Sequence, residues 1–163
     1  MAAMDTRHDM PPPDDRLGTP ARLRALPSRL LGQCAAQAER TVGAALTQAD
    51  ARKWHYAVLA ALADSGPASQ AALSRHTGIY RSDLVAVINE LAERGVVERA
   101  PDPDDRRRNV ISLTARGRRH LERLDTLVGD AQDELLAPLS RSERDQLTAL
   151  LIRVAEYHEE GSR

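Results

Sequence analysis

Between residues 69 and 113 the chain is punctuated in a way that few folds accommodate. Ser69 precedes a short amphipathic stretch carrying Ala72, Leu73 and His76, and Gly78 closes it. A hydroxyl satisfies free N–H groups at a helix start, and glycine enters the left-handed conformation cheaply at a helix end. A second helix opens near Tyr80–Ser82, places Leu84, Val87, Ile88 and Leu91 on one face, and stops at Gly95. Val96-Val97-Glu98-Arg99 reads as a strand, and the alternating, β-branched run Asn109-Val110-Ile111-Ser112-Leu113 reads as its partner. The segment from Pro101 to Arg108 makes a polar, basic hairpin tip between them.

Short helix, turn, helix and basic hairpin, in that order, describe a winged helix-turn-helix. The second helix of such a pair fits the major groove, where base edges are distinguishable. The hairpin carries cations toward the neighbouring minor groove. Helical patterns flank this unit. Leu23, Leu26, Leu30, Cys34, Ala38, Val42 and Ala45 step by three or four, which predicts a first helix over roughly 22–46. Thr47 and Asp50 are spaced like a capping box. They are expected to open a helix carrying Trp54, Ala57, Val58, Ala61 and Leu62, which Asp64-Ser65-Gly66-Pro67 ends. Thr114 is expected to cap a long helix through Leu121, Leu124, Leu127, Val128 and Leu135, broken by Pro138. A second box, Ser140 and Glu143, starts a last helix with Leu147, Leu150, Leu151, Val154 and Tyr157. With aromatics at 2% and no Phe, the core must be aliphatic, which favours packed helices over a large sheet. The expected fold is mainly α with a small two- to three-stranded β wing. Residues 1–20, with Pro11-Pro12-Pro13, are expected to form a disordered arm.

Charge and chemistry narrow the function. The net charge is −1, but residues 69–119 hold ten arginines against seven acids, a net of +3, inside a frame of −4. A basic middle favours one anion-binding face. The single cysteine, Cys34, excludes an internal disulfide and a multi-thiolate zinc site. His55, His76, His120 and His158 are scattered without i, i+4 ligand spacing, so no metal and no cofactor are expected. No nucleotide-binding, nucleophile-elbow or zinc-hydrolase motif is present, and an enzyme is not expected. No apolar run approaches a membrane span, and Met1 to Pro13 lacks the apolar region of a secretory signal. The expectation is a cytoplasmic protein with no membrane partner.

Asp105-Arg106-Arg107, five residues, then Leu113-Thr114-x-x-Gly117 resembles the wing signature of MarR-family regulators. Leu73 to Ile79 and Leu91 to Arg99 resemble that family's helix-turn-helix and the approach to its wing. The resemblance covers about residues 25–158. It implies a homodimer on double-stranded DNA, with a DNA-binding lobe at 47–113 and dimerisation helices at 22–46 and 114–160, all within a domain at 21–163. It also implies a ligand-responsive repressor on a palindromic operator. Carried onto this chain, DNA contacts fall at Tyr80, Arg81, Ser82, Asp83, Val85 and Ala86, with Ser69 and Gln70 touching the backbone. Asp83 faces phosphate poorly; capping the helix, holding Arg81 and accepting from cytosine stay open. In the wing, Arg106, Arg107 and Arg108 are the expected DNA contacts: Asp105 would pair with Arg107 and stiffen the tip, leaving Arg106 and Arg108 to reach DNA, and which arginine enters the groove depends on the hairpin register and stays open.

The resemblance also suggests an effector. Arg52, Lys53, Trp54, His55 and Tyr56 combine cations, aromatic rings and a titratable ring, which suits a small aromatic or carboxylate ligand. The competing and preferred reading makes Trp54 a core side chain and His55 a surface or satisfied histidine. Cys34 lies in the first helix, where redox-sensing relatives carry a reactive cysteine. It has no aromatic flank and falls on the apolar stripe, so a small-hydrophobe role is preferred. A winged helix serving only as a protein-interaction module is the remaining alternative.

Overall fold

The computed structural model describes residues 19–102, 105 and 109–160. The expected arm therefore lies outside the described residues up to position 18, and so do Arg106, Arg107 and Arg108. The described chain falls into two units that divide between Ala36 and Gln37.

The first unit holds α1 (Ala21–Arg24) and the start of α2 (Pro27–Thr47). One continuous helix over 22–46 was the expectation, and the structure interrupts it at Ala25-Leu26. Proline lacks an N–H and fixes φ, so Pro27 suits a first helical turn and not a helix interior. Leu23, Leu26, Leu30, Leu31 and Cys34 are all exposed in this unit.

The second unit continues α2 and adds α3 (Lys53–Ser65), β1 (Ala68–Ser69), α4 (Gln70–Thr77), α5 (Arg81–Glu93), β2 (Val97–Pro101), β3 (Asn109–Leu113), α6 (Ala115–Leu135) and α7 (Arg141–Glu160). The three strands form one antiparallel sheet in the order β1-β3-β2. Ala68 pairs with Ile111, and Val97 pairs with Leu113. The third strand is β1, only two residues long, which no alternating pattern can reveal. The first hairpin strand begins one residue later than expected, because Val96 belongs to the turn that closes α5.

One aliphatic core joins these elements. Leu46, Val58, Leu59, Leu73, Leu84, Ile88, Leu91, Ile111 and Leu124 are fully or almost fully buried within it. Each buried leucine or isoleucine contributes about 1.5–3 kcal/mol against an exposed one. The first half of α6 shares this core through Leu121 and Leu124.

Thr47 and Asp50 do not open α3. Thr47 is the last residue of α2 and turns its hydroxyl back to the Gly43 carbonyl at 2.8 Å. Asp50 has a φ of 52°, and α3 is instead capped at Arg52. The Ser140–Glu143 box does form: Glu143 accepts from the Ser140 backbone N–H at 2.8 Å. Trp54 is not a core residue, because 39% of it is exposed, with the Lys53 ammonium 5.0 Å from its ring centroid. It lies in the first turn of α3, before the face that carries Val58, Leu59 and Leu62 inward.

Candidate nucleic-acid interface

The helix pair α4–α5 is built from local signals. Ser69 Oγ accepts from the Ala72 N–H at 3.2 Å, Gly78 has a φ of 69°, and its N–H reaches the Ser74 carbonyl at 3.0 Å. Ser74 and Thr77 each donate to a backbone carbonyl at 2.7 Å (Ile79 and Leu73 respectively), which ties the turn down. Buried Ile79 then seats the chain before α5.

Helix α5 has two faces. Leu84, Val87, Ile88 and Leu91 point into the core. Arg81, Ser82, Asp83, Val85 and Ala86 are exposed, and Tyr80, which precedes the helix, is 80% exposed. The six residues expected on DNA from the second helix and its cap are thus all exposed on α5 or directly before it. Asp83 sits in the first turn, where an acid suits the helix dipole, and accepts from Ser82 Oγ at 3.4 Å. Ser69 and Gln70 are half-buried at the start of α4.

The root of the wing is held to α6 by the motif Leu113-Thr114-x-x-Gly117. Gly95, at a φ of 67°, closes α5 with paired bonds: its N–H to the Ala92 carbonyl and the Val96 N–H to the Leu91 carbonyl. Thr114 donates its hydroxyl to the Gly95 carbonyl at 2.7 Å and accepts the Gly117 N–H at 3.0 Å. Its own N–H meets the Val96 carbonyl at 3.2 Å. Gly117 leaves room for that carbonyl, since a Cβ there would lie 1.9 Å from Val96 O.

Four polar residues that sequence reasoning missed hold α5 and its C-terminal turn in place. Arg99, on β2, donates to Asn89 Oδ1 at 2.5 Å. Arg94 bonds the Asp50 backbone carbonyl and pairs with the Asp50 carboxylate at 3.3 Å. Glu90 takes the Arg52 guanidinium, and its Oε2 lies 2.9 Å from His55 Nε2. The partners of Arg94 and Glu90 are dozens of residues away in sequence, so no local signal announces them.

His55 is 1% exposed. Its Nδ1 accepts the Arg52 backbone N–H at 3.2 Å, so its proton sits on Nε2 and is donated to Glu90. Of the two readings, the satisfied histidine fits. Burial holds its pKa below the ordinary 6.5, against the pull of the Glu90 hydrogen bond. Hydrogen bonds from Arg52 and then His55 hold the Glu90 carboxyl below its ordinary value. Around the same helix start, Lys53 pairs with Glu39 at 2.9 Å and Tyr56 donates to Asp125 at 2.9 Å. Burial, then the Asp125 bond, raise the Tyr56 phenol. Arg52, Lys53, Trp54, His55 and Tyr56 are therefore grouped at the α3 start, with Trp54, Lys53 and Arg52 facing solvent. A separate cavity of about 400 Å³ lies at the base of the sheet, lined by Leu62, Pro67, Glu98, Ser112, Leu113 and Arg118 among others.

A helix pair with one outward-facing helix, followed by a wing clamped at its root, defines a winged helix-turn-helix protein. The MarR family model matches residues 46–108. A protein named for transcriptional regulation of the hcr operon in Thauera aromatica is 35% identical over 99 residues, 61% of this chain and 60% of its own. The repressor NicR of Pseudomonas putida is 29% identical over 104 residues, 64% of this chain and 66% of its own. This chain thus spans less than two thirds of both relatives. Among solved structures, a transcriptional regulator from Pseudomonas aeruginosa superposes with a TM-score of 0.73 at 31% identity, over 82% of this chain and 99% of that one. A cysteine-to-serine mutant of Escherichia coli MarR complexed with operator DNA gives 0.71 at 25% identity, over 83% and 99%. The chain belongs to the MarR family.

No helix among the described residues is long and apolar enough to cross a membrane.

Proposed function

We propose that this chain is a sequence-specific DNA-binding transcriptional regulator, a ligand-responsive repressor that binds a palindromic operator as a homodimer. The observation that carries the reading is α5, whose core-facing side is fully packed while Arg81, Ser82, Val85 and Ala86 stand outward. Arg81 and Ser82 are proposed to meet phosphate or base edges, and Tyr80, Asp83, Val85 and Ala86 to line the groove. Ser69 and Gln70 present the α4 start to the backbone, and the wing arginines Arg106 and Arg108 reach the neighbouring groove. The operator complex of the similar MarR supports this reading, as does the repressor name of NicR.

Exposed apolar side chains support the dimer. Leu150, Leu151, Ile152, Val154 and Tyr157 of α7 are only partly covered by the described residues of one copy, with 42–73% of each exposed. Two lobes brought together in this way would meet half-sites about one helical turn apart, ~34–36 Å. The effector is proposed to be a small aromatic or carboxylate ligand on the solvent-facing Arg52, Lys53 and Trp54 at the α3 start, with His55 and Tyr56 behind them already engaged by Glu90 and Asp125. It weakens DNA binding by favouring a lobe separation that misfits the operator.

The test is DNA affinity at several salt concentrations, on the duplex upstream of the protein's own gene and on a scrambled duplex. Selective binding with a steep salt slope is expected. Arg106→Ala with Arg108→Ala should lower affinity and flatten the slope by about one unit per lost phosphate contact. Equal, weak binding to both duplexes overturns the reading.

A further inference from the structure

Glu90 lies on α5 yet does not belong to its outward face. At about 100° per residue it falls midway between the line of Ser82, Val85 and Ala86 and the buried line of Leu84, Val87 and Leu91. Its carboxylate is turned toward the start of α3, where one oxygen takes both the Arg52 guanidinium and the His55 Nε2–H. The neighbouring residue, Asn89, sits on the exposed side and is held from the wing by Arg99. Two successive residues of α5 are therefore tethered in different directions, one to α3 and one to β2.

The α3 anchor is rigid. His55 is buried and locked by its second nitrogen, which accepts the Arg52 backbone N–H at the helix cap. A roll of α5 by about 10° would move side-chain tips some 5–6 Å from its axis by about 1 Å. Hydrogen bonds tolerate a donor–acceptor range of only about half an ångström, so such a roll misplaces every base contact.

We propose that Glu90 is a positioning residue for operator recognition: through Arg52 and His55 it fixes the roll of α5, and so sets sequence-specific affinity without touching DNA. The proposal rests on the reading of α5 as the helix that meets DNA. Neither Glu90 nor the half-exposed Arg52 is part of the apolar core, so their removal tests positioning and not folding.

The experiment measures binding of Glu90→Gln, Arg52→Met and the double variant to the operator and to a scrambled duplex, with a melting curve for each. Glu90→Gln keeps the size and an acceptor for His55 but loses the charge that holds Arg52. Each single variant should weaken operator binding by roughly three- to thirtyfold. Scrambled-duplex binding and melting temperature should stay at the wild-type values. The double variant should bind no more weakly than the worse single, because both remove one link. Wild-type operator affinity in Glu90→Gln overturns the proposal, as does a loss shared equally by scrambled DNA, one that tracks a lower melting temperature, or additive losses in the double variant. A wild-type chain that does not prefer its operator removes the DNA reading itself, an outcome distinct from all of these.

Discussion

Replacing Gly117 with alanine asks α6 to yield where it has least room. The added Cβ would stand 1.9 Å from the Val96 carbonyl oxygen, 2.9 Å from its carbon and 3.2 Å from Leu113 Cδ2. The nearest obstacle is backbone, in a segment fixed by the bonds that close α5, so no side-chain rotation relieves it. Restoring an ordinary contact near 3.4 Å requires α6 and the wing root to part by roughly 1.5 Å. That separation breaks the 3.2 Å bond from the Thr114 N–H to the Val96 carbonyl. Overpacking costs about 1–3 kcal/mol, and the lost hydrogen bond about 0.5–1.5. Alanine's better helix propensity returns at most about 1 kcal/mol. The net is a destabilisation of about 0.5–3.5 kcal/mol, which in a chain of this length lowers the melting temperature by roughly 1–14 °C. Urea unfolding at a fixed protein concentration measures it. Gly129→Ala is the matched control, since a Cβ at Gly129, in the same helix, meets nothing within 4 Å. That variant should gain about 0.5–1 kcal/mol. Equal effects from the two substitutions would refute the close-approach argument.

His55→Gln should keep the α3 cap, because glutamine at the third helical position can accept the Arg52 N–H, while removing a titration. With its folded pKa below 6.5, His55 lets the unfolded chain take up a proton first, so stability is full above about pH 6.5 and is lost as pH falls below it. The slope of stability against pH just below 6.5 should drop in the variant by up to ~1.4 kcal/mol per unit, and an unchanged slope would assign the acid sensitivity elsewhere. Ser69→Ala removes the α4 cap and should cost about 1 kcal/mol in chemical denaturation; no change would mean that the 3.2 Å bond to Ala72 carries no stability. Leu150→Glu with Leu151→Glu replaces two half-exposed α7 side chains, each of which would gain about half of the 1.5–3 kcal/mol of full burial when covered, so the dimer dissociation constant should rise by at least about tenfold in analytical ultracentrifugation. Unaltered assembly would place the interface on another surface.

What the sequence reveals about this fold tracks how local each cause is. Ser69, Gly78 and Gly95 act on backbone groups within four residues of themselves, as does Thr114 where it accepts the Gly117 N–H, and their types name those jobs. The alternation from Asn109 to Leu113 and the stripe Leu84, Val87, Ile88, Leu91 are likewise periodic signals that survive folding unchanged. The apolar stripe of the first helix misled, because its spacing runs smoothly through Pro27 although the backbone does not. Trp54 misled for another reason: it follows the helical spacing of Val58 and Leu62, but sits in the first turn, where Lys53 covers its ring. The outward residues of α5 were legible as the complement of its buried face. The links that hold that helix were not, since Arg52 and Glu90 stand 38 residues apart and either could have been a solvated charge.

The burial of Leu121 and Leu124 bears on how small this molecule can be made. Because those side chains fill the same interior as Leu59 and Ile88, a fragment cut after Leu113 would leave a hole under α3 and strip the wing root of its clamp. The shortest piece able to fold around α5 must run on through the middle of α6, to about Val128, which packs against that interior. One continuous helix would then carry any displacement of its far half into the wing root, with no intervening joint to absorb it.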